Sequence, residues 1–99
     1  MDIVREIQTA VRTGKVIFGS RETITAVANG KAKLVIIASN APQEVKRDLG
    51  KYCKISGTPI YQFPGTSWDL GAICNKPFMI AAMAVIDPGE SNIMDVAKA

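Results

Sequence analysis

Gly30-Lys31-Ala32-Lys33-Leu34-Val35-Ile36-Ile37-Ala38-Ser39-Asn40-Ala41-Pro42 is the stretch that decides the fold. Leu34 to Ala38 is apolar without a break, which predicts a strand covered on both faces. Gly30 stands where a helix C-cap glycine belongs, because glycine enters the left-handed conformation without a Cβ clash. Pro42 suits the first turn of a following helix, where its missing N–H is not needed. The stretch therefore reads helix end, buried strand, polar loop, helix start.

Working outward, the same grammar repeats. Asp2 to Thr13 is predicted to be a helix, with Ile3, Ile7, Ala10 and Val11 on one face. Gly14 is expected to end it and Lys15 to Phe18 to form a strand. Ser20 is expected to cap a second helix whose inner residues are Ile24, Val27 and Ala28. Val45, Leu49, Tyr52 and Cys53 form the inner stripe of a third helix, closed by Gly57. Arg47, Lys51 and Lys54 line its outer face, where a basic stripe is ordinarily just solvated. Ile60 to Phe63 is a third strand, and Thr66 or Ser67 caps a short helix through Cys74. Phe78 to Ile86 is a long apolar strand, and Asp87-Pro88-Gly89-Glu90 a turn. The last residues form a short helix or fray. The order is α-β-α-β-α-β-α-β, an alternation that calls for a central sheet with helices on both faces.

The totals agree with one domain spanning residues 1–99. The chain is 47% hydrophobic and 21% charged, with a net charge of +3. A charge of that size permits nucleic-acid binding without requiring it. There is no histidine, so the commonest general base and metal ligand is missing. Cys53 and Cys74 do not form a zinc motif, and both fall among apolar residues at helical spacing. They are expected to be buried, reduced thiols, as suits a cytoplasmic protein. Met1-Asp2-Ile3-Val4-Arg5-Glu6 is not a signal-peptide pattern, and Phe78 to Ile86 is too short to span a membrane as a helix. No membrane partner, metal or cofactor is expected.

If the first three strands run parallel, the loops Gly19–Arg21, Ser39–Pro42 and Pro64–Ser67 share one sheet edge. Ligands of open α/β sheets bind at such an edge. Each loop also opens a helix, whose free N–H groups and partial positive charge suit phosphate. Arg21 stands in a first helical turn, where a cation is mildly disfavoured, and so is a better binding candidate than a residue that obeys every local rule. The ordinary reading of Asn40 and Ser67 is helix capping or a turn, and that of Phe78 core packing. Enzymatic signals are poor. Gly14 and Gly19 are not followed by the Gly-Lys-Ser/Thr of a phosphate loop, and Glu22, Asp69 and Glu90 have no partner that spacing would predict.

The runs Thr13 to Arg21 and Gly30 to Pro42, then Tyr52, Thr58-Pro59-Ile60-Tyr61, Asp69-Leu70-Gly71 and Asp87 to Ser91, resemble the thirty-e family of archaeal and eukaryotic large-subunit ribosomal proteins. The resemblance covers nearly the whole chain. It implies a three-layer α/β/α sandwich that binds a kink-turn, an RNA duplex bent sharply at an internal loop, and it implies no catalysis. Carried onto this sequence, the family's RNA-binding positions fall on Gly19, Ser20, Arg21, Asn40, Ser67 and Phe78. The wider kink-turn superfamily often has Gly-x-Asn-Glu where this chain has Gly19-Ser20-Arg21-Glu22, which favours the thirty-e branch over the seven-Ae branch. Neither reading gives Trp68 a role. The implied partners are a kink-turn in ribosomal RNA and neighbouring ribosomal proteins, with the free protein a monomer in the cytoplasm.

One geometric requirement follows. For Phe78 to join the three loops, the last strand must start at the edge where the others end, so the four-stranded sheet must be mixed. Other readings of the residues are a kink-turn protein of another ribonucleoprotein, a protein-interaction module without RNA, and a small enzyme holding a phosphorylated substrate on its helix N-termini.

Overall fold

In a computed structural model, the described residues run from Asp2 to Lys98; Met1 and Ala99, the ends of the expected 1–99 domain, lie outside them. Helix α1 is Ile3–Thr13, strand β1 Lys15–Phe18, α2 Ser20–Ala28, β2 Leu34–Ala38, α3 Gln43–Ser56, β3 Ile60–Phe63, α4 Ser67–Ile73 and β4 Ala82–Asp87, followed by a 3-10 turn over Ile93–Lys98. The sheet order is β1-β4-β2-β3. Strand β2 pairs parallel with β3, whereas β4 runs antiparallel to both β1 and β2. The sheet is mixed, as the Phe78 requirement demands.

All five residues of β2 are buried, and their alternation divides the core. Leu34, Ile36 and Ala38 face α1 and α4 together with Ile7, Leu70, Ile80 and Met83. Val35 and Ile37 face α2 and α3 with Val27, Leu49, Cys53 and Ala82. A strand with two apolar faces needs helices on both, and fully burying each such side chain contributes roughly 1.5–3 kcal/mol. The three layers thus follow from one pentapeptide. Cys53 and Cys74 are both free and buried, one in each half of the core. Burial pushes both thiols up, Cys74 to about 11 despite the opposing charge of Lys76.

Several local expectations need correction. Gly14 is extended at φ −108° rather than left-handed. Only Gly30 and Gly57 take the positive φ expected of glycines after helices. Glycine is required at 14 by close approach, since a Cβ there would strike the Asp87 carbonyl. Gly19, not Ser20, is the N-cap of α2, and Thr66, not Ser67, is that of α4. Pro42 precedes α3 as its N-cap instead of sitting inside it. The inner face of α2 is Thr23, Ala26 and Val27; Ile24 is half-buried and Ala28 exposed. Small residues at that i, i+3, i+4 spacing let the helix lie close to the sheet, a pattern that apolarity alone obscures because Thr23 reads as polar. Tyr52 is exposed at the border of the α3 stripe. Strand β4 starts four residues later than Phe78. The segment before it is drawn toward α4, where the Ile80 N–H donates to the Ser67 carbonyl and the Phe78 carbonyl packs where only Gly71 leaves room.

Candidate nucleic-acid interface

With β1, β2 and β3 sharing a direction and β4 opposed, the ends of three strands and the start of the fourth meet at one edge. Backbone hydrogen bonds join the loops there in sequence. Gly19 N–H donates to the Ala82 carbonyl (3.0 Å), Ala38 to Ala81 (2.9 Å), Ser39 to Gly65 (2.9 Å) and Ile80 to Ser67 (3.0 Å). The Ser39 hydroxyl donates to the same Gly65 carbonyl at 2.8 Å. Because these groups are buried or half-buried, each bond also avoids the penalty of an unpaired polar group.

Asn40 carries the most informative of these contacts. Its Oδ1 accepts the Ser67 backbone N–H at 2.7 Å, across 27 residues. Asparagine capping is as expected in kind, but the helix capped is α4 and not the adjacent α3. The side chain thereby ties the β2–α3 loop to the β3–α4 loop. Thr66 and Asp69 complete the closure of α4 as a reciprocal capping box. The N-terminus of α4 is therefore occupied, contrary to the expectation of three free helix ends. The N-termini of α2 and α3 have no side-chain cap.

The other expected residues divide into frame and face. Gly19 takes φ +106°, which glycine alone adopts without strain; a Cβ there would also meet the Glu22 carboxylate at 2.5 Å, a flexible group that could move aside. Ser20 is half-buried in the first turn of α2. Ser67 is buried, with its backbone N–H and carbonyl both engaged inside the fold. Arg21 is exposed, and no described residue pairs with its guanidinium. It borders a cleft of about 340 Å³ that also takes in Glu22, Thr25 and Lys31. Phe78 is 49% exposed and is not a core residue.

Four further residues stand at this edge that sequence reasoning did not select. Met79 is 53% and Trp68 65% exposed, and both neighbour positions already described, Phe78 and Ser67. The tryptophan was visible in the sequence, being the chain's only one, but its exposure was not. Lys76 places its Nζ 5.1 Å from the centre of the Phe18 ring, a cation–π contact. Lys46 donates from Nζ to the Ser39 carbonyl at 2.8 Å, bracing the β2–α3 loop from α3. No sequence signal distinguishes Lys46 from the solvated Arg47, Lys51 and Lys54 beside it.

Among the described residues no group of His, Cys, Asp and Glu could hold a metal ion, and no helix is long and apolar enough to cross a membrane. What the edge presents is exposed ring surface, an unpaired guanidinium and two uncapped helix N-termini, on a frame whose own polar groups are spent in fixing the loops. The chain belongs to the ribosomal protein L7Ae/L30e/S12e/Gadd45 family, whose model matches residues 1–95. Among its relatives are archaeal proteins named large ribosomal subunit protein eL30. The one from Sulfurisphaera tokodaii is 52% identical over 93 residues, covering 94% of this chain and 88% of its own. That of Methanocaldococcus jannaschii is 49% identical over 98 residues, covering 99% of this chain and 89% of its own. These relatives put the chain on the eL30 branch of the family. A solved structure of a protein of unknown function from Bacillus halodurans has the same fold, with a TM-score of 0.84 and 25% identity over 97% of this chain and 95% of that one.

Proposed function

We propose that this chain is a structural, non-catalytic constituent of the large ribosomal subunit, a single RNA-binding domain that grips a kink-turn in ribosomal RNA. Its place is the ribosome in the cytoplasm, with neighbouring ribosomal proteins as further partners, and the free protein is a monomer. The observation that carries the reading is Phe78, a half-exposed aromatic brought by the antiparallel β4 to the edge that also holds Arg21. Sequence-specific RNA recognition targets unstacked bases, read by aromatic faces and side-chain donors, while cations and helix ends hold phosphates. A sharp bend supplies those unstacked bases; a regular A-form duplex hides them. In this reading Phe78 stacks on a base or sugar at the bend. Arg21 and the uncapped N-terminus of α2 hold phosphate, and Gly19 and Ser20 let the backbone come close. Asn40 and Ser67 keep two loops in register and offer their remaining polar atoms to the RNA.

The test is a filter-binding comparison of the full chain with a kinked duplex and with a fully paired duplex of the same composition. A preference of at least about tenfold for the kinked RNA is expected, as a single base–aromatic stack is worth about 1–3 kcal/mol. Equal binding to both duplexes would overturn the kink-turn reading, and absence of binding to either would overturn the RNA reading.

A further inference from the structure

A second cleft, of about 510 Å³, opens between α1 and the C-terminal end of α4, lined on its polar side by Gln8, Arg12, Asn75 and Lys76. Two cations line it and no carboxylate does. The acids of the flanking elements are engaged elsewhere: Glu6 accepts the Asn92 N–H at 2.7 Å, and Asp69 is held in the α4 capping box. Neither Arg12 nor Lys76 belongs to an ion pair among the described residues. Cations that line one groove without a carboxylate beside them favour an anionic occupant.

Two features connect this cleft to the loop edge. Lys76 is held over the ring of Phe18, the residue immediately before Gly19, so the cleft begins where the proposed bend-binding surface stops. The second is Asn75, the one described non-glycine residue with positive φ, at +58°. It closes α4 in a Schellman arrangement, with the Asn75 N–H donating to the Ala72 carbonyl and the Lys76 N–H to the Gly71 carbonyl, both at 3.0 Å. Glycine is the residue this position favours. An asparagine there gives up some backbone ease and places an amide, with donors and an acceptor, in the wall of the cleft.

We propose that this cleft is a second RNA-contact site, in which Arg12 and Lys76 hold phosphates of a duplex arm leaving the bend, while Gln8 and Asn75 hydrogen-bond its sugar–phosphate backbone. The proposal rests on the kink-turn reading above and extends it from the bend to the flanking helix. It uses charge and amide groups only, so it adds affinity without sequence preference.

The experiment uses the full chain and three RNAs with one kinked core: a minimal form with short arms, and two forms in which either arm is lengthened by a helical turn. Wild type is expected to bind one of the lengthened RNAs more tightly than the minimal one. Arg12→Gln should reduce that gain, leave affinity for the minimal RNA unchanged, and lower the salt slope on the lengthened RNA by roughly 0.7–0.9 for one contact; adding Lys76→Gln should abolish the gain and bring the fall in slope to roughly 1.4–1.8. Asn75→Gly should melt at a higher temperature yet bind the lengthened RNA more weakly, a pairing that a purely structural asparagine would not give. A double variant with wild-type affinity and slope on both lengthened RNAs would overturn the proposal. So would a loss from Arg12→Gln of equal size on minimal and lengthened RNA. These outcomes are separate from failure of the kink-turn reading, which shows in wild type as no preference for the kinked core.

Discussion

The two ends of the sheet are built from similar materials and put to opposite use. At the end away from the loops, Gly14 and the Asp87–Glu90 turn are locked backbone to backbone. A Cβ on Gly89 would lie 2.5 Å from the Gly14 nitrogen and from Thr13 Oγ1. The Thr13 hydroxyl accepts the Glu90 N–H at 2.9 Å, Asp87 accepts from Gly89 at 2.9 Å, and Ser91 donates to the Pro88 carbonyl at 2.7 Å. Polar side chains there bond to the backbone of the turn and close it. At the loop end, Ser39, Asn40 and Lys46 also bond inward, but they hold the loops from behind, and Arg21, Trp68, Phe78 and Met79 stay exposed. Both ends are rich in hydrogen bonds; the proposed RNA surface is the one that keeps an unpaired arginine and exposed rings.

The largest expected effect breaks the sealed end. Gly14→Ala forces a methyl into the Asp87 carbonyl and should destabilise by about 3 kcal/mol, in the upper range for overpacking. For a domain of this size that is a fall in melting temperature on the order of 15 °C. Kinked-RNA affinity, measured well below the new melting point, should not move. A variant that melts normally but binds poorly would show that the two ends are not independent.

The next effect is the mirror image. Phe78→Ala should weaken kinked-RNA binding by about ten- to a hundredfold through lost stacking, while stability changes little because the ring is half exposed. Thermal melts and filter binding on one preparation distinguish this from a core role, for which truncation would cost about 3–5 kcal/mol.

Much of this division was legible in the sequence, and the illegible parts have physical causes. Leu34 to Ala38 announced two helical layers because only a doubly covered strand tolerates five apolar residues in a row. The antiparallel β4 followed from asking where Phe78 must stand, a question that came from family resemblance rather than from periodicity. What could not be read were contacts set by loop conformation. Asn40 bonds across 27 residues, Gly14 is required by a turn more than seventy positions away, and Lys76 finds Phe18 only once α4 has closed. Ser20 was read as a cap from residue type, yet the cap is its preceding neighbour Gly19, and of the two caps read for the fourth helix, Thr66 and Ser67, it is Thr66 that caps it. Propensity locates a helix start only to within a residue or two.

A smaller effect falls on the boundary between frame and face. Asn40→Ala removes the acceptor for the Ser67 N–H and should destabilise by about 1 kcal/mol, the usual worth of such a cap. It should also weaken RNA binding, since two loops lose their tie. Both readouts are expected to move together, unlike either variant above. A change in one without the other would assign Asn40 wholly to the frame or wholly to the face.

The smallest expected stability effect is the most direct test of the exposed side. Arg21 fills no core position, pairs with no described residue, and stands in the first turn of α2, where the helix dipole opposes a positive charge by roughly 0.3–1 kcal/mol at most. Arg21→Ala should therefore leave the melting temperature unchanged or raise it slightly. Binding should weaken at low salt, and the dependence of log affinity on log salt should become shallower by about 0.7–0.9, the signature of one lost phosphate contact. The slope is the decisive quantity. If Arg21 hydrogen-bonds a base edge, affinity falls while the slope holds, and discrimination between kinked sequences narrows. If the arginine is only a solvated surface residue, affinity, slope and melting temperature all stay at their wild-type values, and the loop end loses its principal charged contact.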